Sequence, residues 1–321
     1  AGGLGQPGPD AAEPLDVVEV AAGDLGELVA EGRGIDPSDV GDEGQPEADH
    51  LVAVLRRGEA DCGLHPVSLV VATVPAVTYL LIHGGGSTGR FWDRVVPLLD
   101  APAIAVDLPG RNGTPGGYAR TTVEEEVASV LAQVDAADPG DPIVIVAHSS
   151  GAMPVPGVVA GLRDAGREVE RIVLNGALVP AEGGTGLDCM KPHHRDGLLW
   201  AVDAAAEQGE TITMPGAPDD PEQLRSAYGG DPLSDDDLAF AADPVRCVPD
   251  GVHHYFQPIH WSQAVGVPVT YVLNERDRPV STSMQEVMAA SVSSPGRIVR
   301  YPGGHCPAIT DPSWLAEVVN R

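Results

Sequence analysis

The stretch IVIVAHSSGAM, residues 143–153, decides the fold class of this 321-residue chain. Its first five residues form a short, wholly apolar run, which is typical of a strand buried on both faces of a parallel sheet. A helical pattern begins at about residue 150. Ser149 therefore lies between a strand and a helix, with Ala147 and Gly151 two positions away on either side.

This spacing around Ser149 has a physical cause. A strand that turns sharply into a helix holds the residue at the turn in a strained conformation, and only small residues fit two positions away. The helix N-terminus behind it directs free N–H groups at developing negative charge. We therefore predict Ser149 as a nucleophile, with Ala147 in place of the more usual glycine. Ser150 is the competing serine, expected to offer only its backbone N–H.

Strand and helix patterns alternate on both sides of this stretch. Such alternation requires right-handed crossovers and predicts an α/β fold, a mostly parallel sheet with helices on both faces. The predicted strands cover 77–82, 103–107, 143–147, 171–175, 269–273 and 297–301, and the predicted helices cover 89–100, a segment from about 121, 150–165, 282–292 and 311–320.

The alternation breaks at about 182–265. This segment is too long for a simple crossover and contains its own helical pattern at 196–208, so we predict a helical lid inserted between two strands. Its aromatic residues either line an apolar pocket, which would suit a hydrophobic acyl or aryl group, or form the core of the lid. These residues are Trp200, Tyr228, Tyr255, Phe256 and Trp261.

The first 73 residues differ in composition from the rest. They carry 15 acidic and three basic residues and no Phe, Trp or Tyr. Such a segment buries little, so we predict an acidic, weakly ordered arm at 1–73 and a folded domain at 74–321. Within the arm, 51–57 suggests a short helix and 67–74 a strand. The alternative is that 67–74 adds an antiparallel strand to the main sheet.

The glycine-rich loop LLIHGGGSTGRFW, residues 80–92, follows the first core strand. Glycines let a backbone N–H approach a substrate closely, so we predict an oxyanion hole formed by the amides of Gly85 and Ser150. Gly84 and Gly86 are the alternatives to Gly85. A phosphate-binding loop is disfavoured because GK[ST] is missing. His83 is expected to have a structural role, and the substrate contacts predicted near this loop are Gly84, Ser87 and His148.

The base and the acid follow later strands. His305 lies in GGHCP, between the last strand pattern and the last helix pattern, where a base would follow the nucleophile and the acid in chain order. The acid comes from NERDRPV, residues 274–280, which offers Glu275 and Asp277; we favour Asp277 because it lies where the loop turns, before Pro279.

Metal ligation is disfavoured by spacing. The histidines of the lid lack carboxylates at a spacing such as HExxH, and the cysteines show no zinc pattern. We expect no metal and no cofactor. Free thiols are expected, with a bridge between Cys189 and Cys247 left open. The lid histidines are His193, His194, His253, His254 and His260, and the cysteines are Cys62, Cys189, Cys247 and Cys306.

The net charge of −28 makes nucleic acid and anionic membrane surfaces unfavourable partners. No apolar run is long enough to span a membrane, and the chain does not open with a signal-peptide pattern. We therefore expect a soluble, cytoplasmic protein that acts on a small molecule. Whether it forms a homo-oligomer is left open.

Taken together, these motifs resemble the α/β-hydrolase superfamily, and within it the compact serine esterases of the plant methylesterase and hydroxynitrile lyase type. The resemblance covers about 75–181 and 266–321. It implies an α/β-hydrolase fold and an ester-cleaving Ser149–Asp277–His305 triad, with Gly85 as oxyanion donor and Trp92 as a packing residue. The matching motifs are HGGGSTGRFW, AVDLPG, AHSSGAM, RDRPV and GGHCP.

Two departures from the lyase pattern favour ester hydrolysis. The lyases carry a lysine after the catalytic histidine, where this chain has Cys306, and a threonine after the loop histidine, where it has Gly84. Epoxide hydrolases and haloalkane dehalogenases would need an aspartate in place of Ser149. A lactonase, thioesterase, C–C hydrolase or acyltransferase remains an alternative, as does a non-catalytic receptor on the same fold.

Overall fold

The computed structural model describes residues 17–19, 51–57, 67–73 and 77–321, apart from 140–141, 221, 228–230, 232 and 293–296. The chain divides into two compact units, 1–76 and 77–321. Cys62 and Tyr228 lie outside the described residues. Among the described residues, no helix is long and apolar enough to cross a membrane.

The first unit contains a small antiparallel sheet. Strands β1 (Val17–Glu19), β2 (Leu51–Arg57) and β3 (Val67–Thr73) lie in the order β1-β2-β3. The predicted helix at 51–57 is wrong: this segment is β2 and pairs along its whole length with β3. The predicted strand at 67–74 is confirmed, but it pairs with β2 and not with the main sheet. The weak order predicted for the arm stays a prediction.

The second unit is built on a six-stranded sheet in the order β11-β10-β7-β6-β4-β5. Every neighbouring pair in this sheet is parallel, as the alternating pattern predicted. The strands are β4 (Thr78–Ile82), β5 (Ala103–Val106), β6 (Ile143–His148), β7 (Val169–Asn175), β10 (Val269–Asn274) and β11 (Arg297–Tyr301), with a separate two-stranded pair of β8 (Thr213–Met214) and β9 (Asp250–Gly251).

Helices cover both faces of the sheet, which explains the unbroken apolar runs of its strands. Alternate residues of β4 enter two separate cores: Leu80 and Ile82 enter one, and Tyr79 and Leu81 enter the other. The helices are α1 (Val123–Ala137), α2 (Val155–Asp164), α3 (Pro192–Glu207), α4 (Glu222–Ala227), α5 (Asp235–Ala242), α6 (Thr282–Ser291), α7 (Pro307–Thr310) and α8 (Pro312–Val319).

Two of the predicted helices differ in detail. The segment predicted at 89–100 forms two short 3-10 helices, Gly89–Trp92 and Val96–Leu98. Pro97 removes a backbone donor there and so opposes a continuous α-helix. The segment predicted at 150–165 begins as a 3-10 turn, Ser149–Ala152, and becomes α-helical only at α2.

The segment 182–265, here called the insertion, lies between β7 and β10 and contains α3 to α5 together with the pair β8–β9. Its first helix, α3, has no buried residue, and Trp200 on it is 74% exposed. Trp200 is therefore not part of a core of the insertion, and its contact with substrate stays a prediction. Tyr255 and Trp261 are buried in the main core, and Phe256 packs against it. Cys189 and Cys247 are free and buried, so the bridge left open by the sequence is absent.

Candidate active site

Ser149 adopts a conformation that non-glycine residues seldom take. It follows β6 directly, is half-buried and has a φ of +52°. Such strain persists only where the surroundings impose it. At Gly151, a Cβ atom would lie 2.2 Å from the carbonyl oxygen of His83. The glycine two positions after Ser149 is therefore required by the close approach of the loop that follows β4.

His305 contacts Ser149 with one ring nitrogen and Asp277 with the other. The distance from His305 Nε2 to Ser149 Oγ is 3.0 Å, and that from His305 Nδ1 to Asp277 Oδ2 is 2.6 Å. Because an ionised carboxylate only accepts hydrogen bonds, Nδ1 carries the proton and Nε2 is free to accept one from the serine. The three residues predicted from three separate strand ends meet in one chain of hydrogen bonds.

Asp277 is held in place by further donors. Its Oδ1 accepts the backbone N–H of Val280 at 2.8 Å, and its Oδ2 accepts Gln285 Nε2 at 3.1 Å. Gln285 is fully buried on α6, and its Oε1 also accepts the backbone N–H of Asn274. Glu275, the other acid considered, is exposed and pairs with Arg300 at 3.6 Å. Of the two acids, only Asp277 contacts the histidine.

Gly176, directly after β7, leaves room for these side chains. Its φ is +48°, and a Cβ there would meet Asn274 Nδ2 at 2.7 Å and both Asp277 Oδ2 and His305 Nδ1 at 3.2 Å. Both the backbone conformation and the space require glycine. The sequence interpretation missed this residue, since a glycine after a strand usually signals only a turn.

The three glycines of the loop at 84–86 have different surroundings. Gly84 is buried, and a Cβ there would lie 2.9 Å from both His148 Nδ1 and Ser149 Cβ. The amide of Gly86 donates to Asp250 Oδ2 at 2.8 Å. Gly85 is exposed, and within the described residues its amide donates to no protein acceptor. The amide of Ser150 lies in the first turn of its 3-10 helix, where it has no partner within that helix.

Gly85 lies close to three polar side chains. A Cβ at this position would meet Tyr255 Oη at 3.0 Å, Asp250 Oδ2 at 3.1 Å and Ser150 Oγ at 3.2 Å. Two of these three groups belong to the insertion. The insertion therefore borders the loop on which we predicted the oxyanion donor.

His83 has the structural role expected of it. The backbone N–H of Leu108 donates to His83 Nε2 at 3.2 Å, so the other ring nitrogen carries the proton and donates to the carbonyl of Gly84 at 2.8 Å. Burial is the main cause that lowers the pKa of His83, to about 3, so the ring is neutral.

His148 is buried beside Ser149 and His305. Its Nε2 lies 3.0 Å from the carbonyl oxygen of His305, its ring stacks on Phe91, and burial lowers its pKa well below 6.5. Ser87, another predicted substrate contact, is also buried, and its carbonyl accepts the Nε–H of Arg111 at 3.0 Å. Substrate contact by either side chain stays a prediction.

Two buried polar pairs lie beside the site. Arg111 and Asp250, each almost wholly buried, form an ion pair. His254 Nδ1 lies 3.2 Å from Glu126 Oε1. Burial raises the pKa of Glu126 to about 8 and lowers that of His254 to about 4, so the second pair is neutral near pH 6 to 7. Neither pairing was predicted from the sequence, because partners far apart in the chain give no local pattern.

The described residues form no cluster suited to metal ligation. Across the described part of the chain, no group of three or more His, Cys, Asp or Glu side chains is arranged to hold a metal ion. Of the histidines in the insertion, His254 pairs with Glu126 and His260 with Glu182 at 3.0 Å. The rings of His193 and His194 meet edge to face at the start of α3.

Comparisons with known proteins agree with this architecture. The model of the Alpha/beta hydrolase family matches residues 79–318. A pyrethroid hydrolase from Sphingobium wenxiniae is 25% identical over 259 residues, which cover 75% of this chain and 85% of that protein. An esterase from Mycobacterium tuberculosis, Rv0045c, is 38% identical over 66 residues, 19% of this chain and 22% of that protein.

Among solved structures, an extracellular alpha/beta-hydrolase from a Paenibacillus species superposes with a TM-score of 0.62 at 20% identity, covering 75% of this chain and 97% of the other. The methylesterase MES16 from Arabidopsis gives a TM-score of 0.55 at 14% identity, covering 76% and 97%. With three quarters of its length matched by the family model, this chain belongs to the alpha/beta hydrolase family.

Proposed function

We propose that the chain is a serine hydrolase that cleaves a carboxylic ester of a small, hydrophobic substrate through an acyl-enzyme on Ser149. The observation that carries this proposal is the continuous hydrogen-bond chain from Ser149 Oγ through His305 to Asp277. A serine hydroxyl is a weak nucleophile at neutral pH, and an adjacent oriented base activates it.

In the proposed reaction, His305 Nε2 takes the proton of Ser149 as Oγ attacks the substrate carbonyl. Asp277 keeps the ring in the required tautomer and stabilises the imidazolium that forms. His305 then gives its proton to the leaving alcohol. A water molecule, activated by the same histidine, releases the acid and restores Ser149. The residues of the chain carry out each step, and no step requires a metal or a cofactor.

The developing oxyanion is proposed to accept hydrogen bonds from the amides of Gly85 and Ser150. Gly85 is exposed and its amide donates to no acceptor among the described residues, whereas the amide of Gly86 donates to Asp250, and this supports Gly85 over Gly86. Gly84 is buried against His148 and Ser149. A single donor of this kind contributes roughly a hundred- to a thousandfold in rate.

Hydrolysis is favoured over cleavage of a carbon–cyanide bond. Cys306 occupies the position at which the lyases have a lysine, and burial raises the pKa of its thiol well above 9.0. An uncharged, buried thiol supplies no cation to stabilise a cyanide leaving group. The names of two relatives, a pyrethroid hydrolase and an esterase, agree with ester cleavage.

A hydrophobic substrate is proposed from the aromatic side chains of the insertion, one of which reaches the loop of Gly85. Tyr255 lies beside it, and a Cβ on Gly186 would meet Tyr255 Cδ1 and Met153 Sδ, each at 2.8 Å. Gly186 of the insertion therefore packs against the ring of Tyr255 and against the thioether of Met153, four residues after Ser149. We propose that it acts as a lid over the substrate. A cytoplasmic location and a homo-oligomeric state stay predictions.

The test is a series of p-nitrophenyl esters from acetate to octanoate. We expect the wild-type chain to hydrolyse them, with kcat/KM rising at least over the shorter chains, and Ser149→Ala to reduce turnover by on the order of a millionfold, to background. Retention of ester hydrolysis by Ser149→Ala would overturn the nucleophile. A preference for acetate over every longer ester would overturn the hydrophobic substrate.

A further inference from the structure

The insertion contacts both loops on which the proposed mechanism depends, and it does so through aspartate side chains. Asp250 Oδ2 accepts the backbone N–H of Gly86, next to the proposed donor Gly85, at 2.8 Å. Asp231 Oδ2 accepts the backbone N–H of Gly304, next to His305, at 2.7 Å. Each aspartate thus holds the residue adjacent to a reacting group.

The contact through Asp250 is buried and reinforced. The backbone N–H of Val248 donates to the carbonyl of Gly86 at 2.9 Å, so this residue is held on both sides. Arg111 pairs with Asp250 and also donates to the carbonyl of Ser87 at 3.0 Å. An ion pair so thoroughly buried costs desolvation free energy, and it is retained where it fixes geometry.

The contact through Asp231 has a similar arrangement. Its carboxylate also accepts Thr310 Oγ1 at 3.2 Å and pairs with Arg276 at 3.3 Å. The backbone N–H of Arg276 donates to the carbonyl of Gly303 at 2.9 Å. Asp231 therefore joins the insertion to both the histidine loop and the loop that carries Asp277.

From these contacts we infer that Asp250 and Asp231 are positioning residues, through which the insertion sets the oxyanion donor and the histidine for catalysis. The inference rests on the proposed function of Ser149, His305 and Gly85. It makes the insertion a structural part of the catalytic apparatus. A lid that only selected substrates would need no hydrogen bond to either loop.

The contribution of Asp250 is tested in an Arg111→Met background, so that no unpaired guanidinium is left buried. We compare Asp250→Asn, which keeps an acceptor for the Gly86 amide, with Asp250→Ala, which does not. We expect Asp250→Ala to lower kcat about 10- to 100-fold with KM within twofold, because a displaced oxyanion donor acts in the transition state. The reference for this loss is Asp250→Asn in the same background, because Arg111→Met alone would leave the Asp250 carboxylate buried and unpaired.

The same comparison applies to Asp231. We expect Asp231→Ala to lower kcat about 10-fold, because a displaced histidine loop weakens proton transfer, and Asp231→Asn to restore most of it. Asp188→Ala is the matched control. Asp188 also lies in the insertion and accepts a backbone N–H, that of Thr185 at 2.7 Å, but touches neither loop.

Hydrogen–deuterium exchange separates this inference from the proposed function, because it needs no substrate. In the Arg111→Met background, Asp250→Ala should speed exchange in the peptide containing Gly86 and leave that containing Gly304 unchanged. Asp231→Ala should do the opposite, and Asp188→Ala neither. Unchanged exchange in the targeted loop, or equal acceleration in both loops, would overturn the inference whether or not the wild type hydrolyses esters. A wild type without esterase activity would overturn the proposed function alone.

Discussion

At the scale of single residues, the contact of 2.6 Å between His305 and Asp277 defines which acid serves the histidine. Asp277 is buried and receives three hydrogen bonds, from His305, Val280 and Gln285. Glu275, two positions earlier, is exposed and pairs with Arg300 on the surface. The two acids are therefore close in sequence, but one is buried and the other is exposed.

Exchanging each acid for its amide tests this difference. We expect Asp277→Asn to lower kcat roughly a thousand- to ten-thousandfold, because an amide stabilises the wrong tautomer and cannot stabilise the imidazolium. Glu275→Gln is the matched control, and its loss of an exposed ion pair should cost no more than about 1 kcal/mol in stability and leave kcat unchanged. Steady-state kinetics on one ester decide the matter; a larger kcat loss in Glu275→Gln would reverse the assignment.

Gly176 gives a second prediction at this scale. Gly176→Ala should lower both stability and kcat, since its Cβ would crowd Asn274, Asp277 and His305. Gly166→Ala is the control: its φ of +76° imposes the same kind of strain, about 1 kcal/mol, but a Cβ there meets nothing within 4 Å.

Thermal denaturation and kcat are measured for both glycine variants. Both should lose stability, and only Gly176→Ala should lose turnover. Equal kcat in the two variants would show that the approach of β7 to the catalytic side chains is unimportant.

At the scale of elements, α1 is joined to the insertion by a buried pair of titratable groups. Glu126 lies on α1 and His254 in a 3-10 turn of the insertion. Asp250 further raises the pKa of Glu126, whereas Arg111 lowers it. Asp250 and Arg111 also act on the pKa of His254, the first raising it and the second lowering it. The interface between α1 and the insertion is therefore most favourable when both Glu126 and His254 are neutral.

The sign of the pH dependence follows from these shifts. The pKa of Glu126 rises from 4.5 to about 8. Between these pH values Glu126 is ionised only in the unfolded chain, so its contribution to folding stability decreases as pH increases. The pKa of His254 falls from 6.5 to about 4, so its contribution is lost as pH decreases between those values. Between about pH 4.5 and 6.5 the two effects oppose each other, so the combined contribution of the pair to stability is nearly constant there and decreases on either side.

We therefore expect Glu126→Gln to flatten the alkaline side of the stability profile. Urea denaturation at pH 6 and pH 9 should show that the free energy of unfolding falls by about 1–3 kcal/mol more in the wild type than in this variant. Glu124→Gln, which removes an exposed carboxylate from the same helix, should behave as the wild type does. Parallel losses in all three proteins would contradict the buried, neutral state of Glu126.

At the scale of the whole molecule, the chain consists of two units, and the sheet of the hydrolase is complete without the first. β4 has β5 and β6 as its partners, and β3 pairs with β2. We therefore expect the fragment 74–321 to fold and to keep the kcat/KM of the full chain within about threefold. Circular dichroism and ester hydrolysis check this. An unfolded fragment would mean that the first 73 residues are part of the folded domain.

How far the sequence predicts this molecule depends on the range of each interaction. The elbow at Ser149 and the alternation of strands and helices along the chain both produce local sequence patterns, and so the parallel sheet could be predicted. Gln285 and Asp250 could not be predicted, because each acts through a partner far away in the chain. The error at 51–57 has the same origin, since its pairing with 67–73 overrides a local helical tendency.

The proposed acyl-enzyme on Ser149 is the central claim, and trapping it is the most direct test. The chain is mixed with a p-nitrophenyl ester, quenched in acid during turnover, digested and analysed by mass spectrometry. We predict an acyl adduct on the peptide that contains Ser149, and no adduct or turnover with Ser149→Ala. An adduct on another residue, or sustained hydrolysis by Ser149→Ala, would contradict the account.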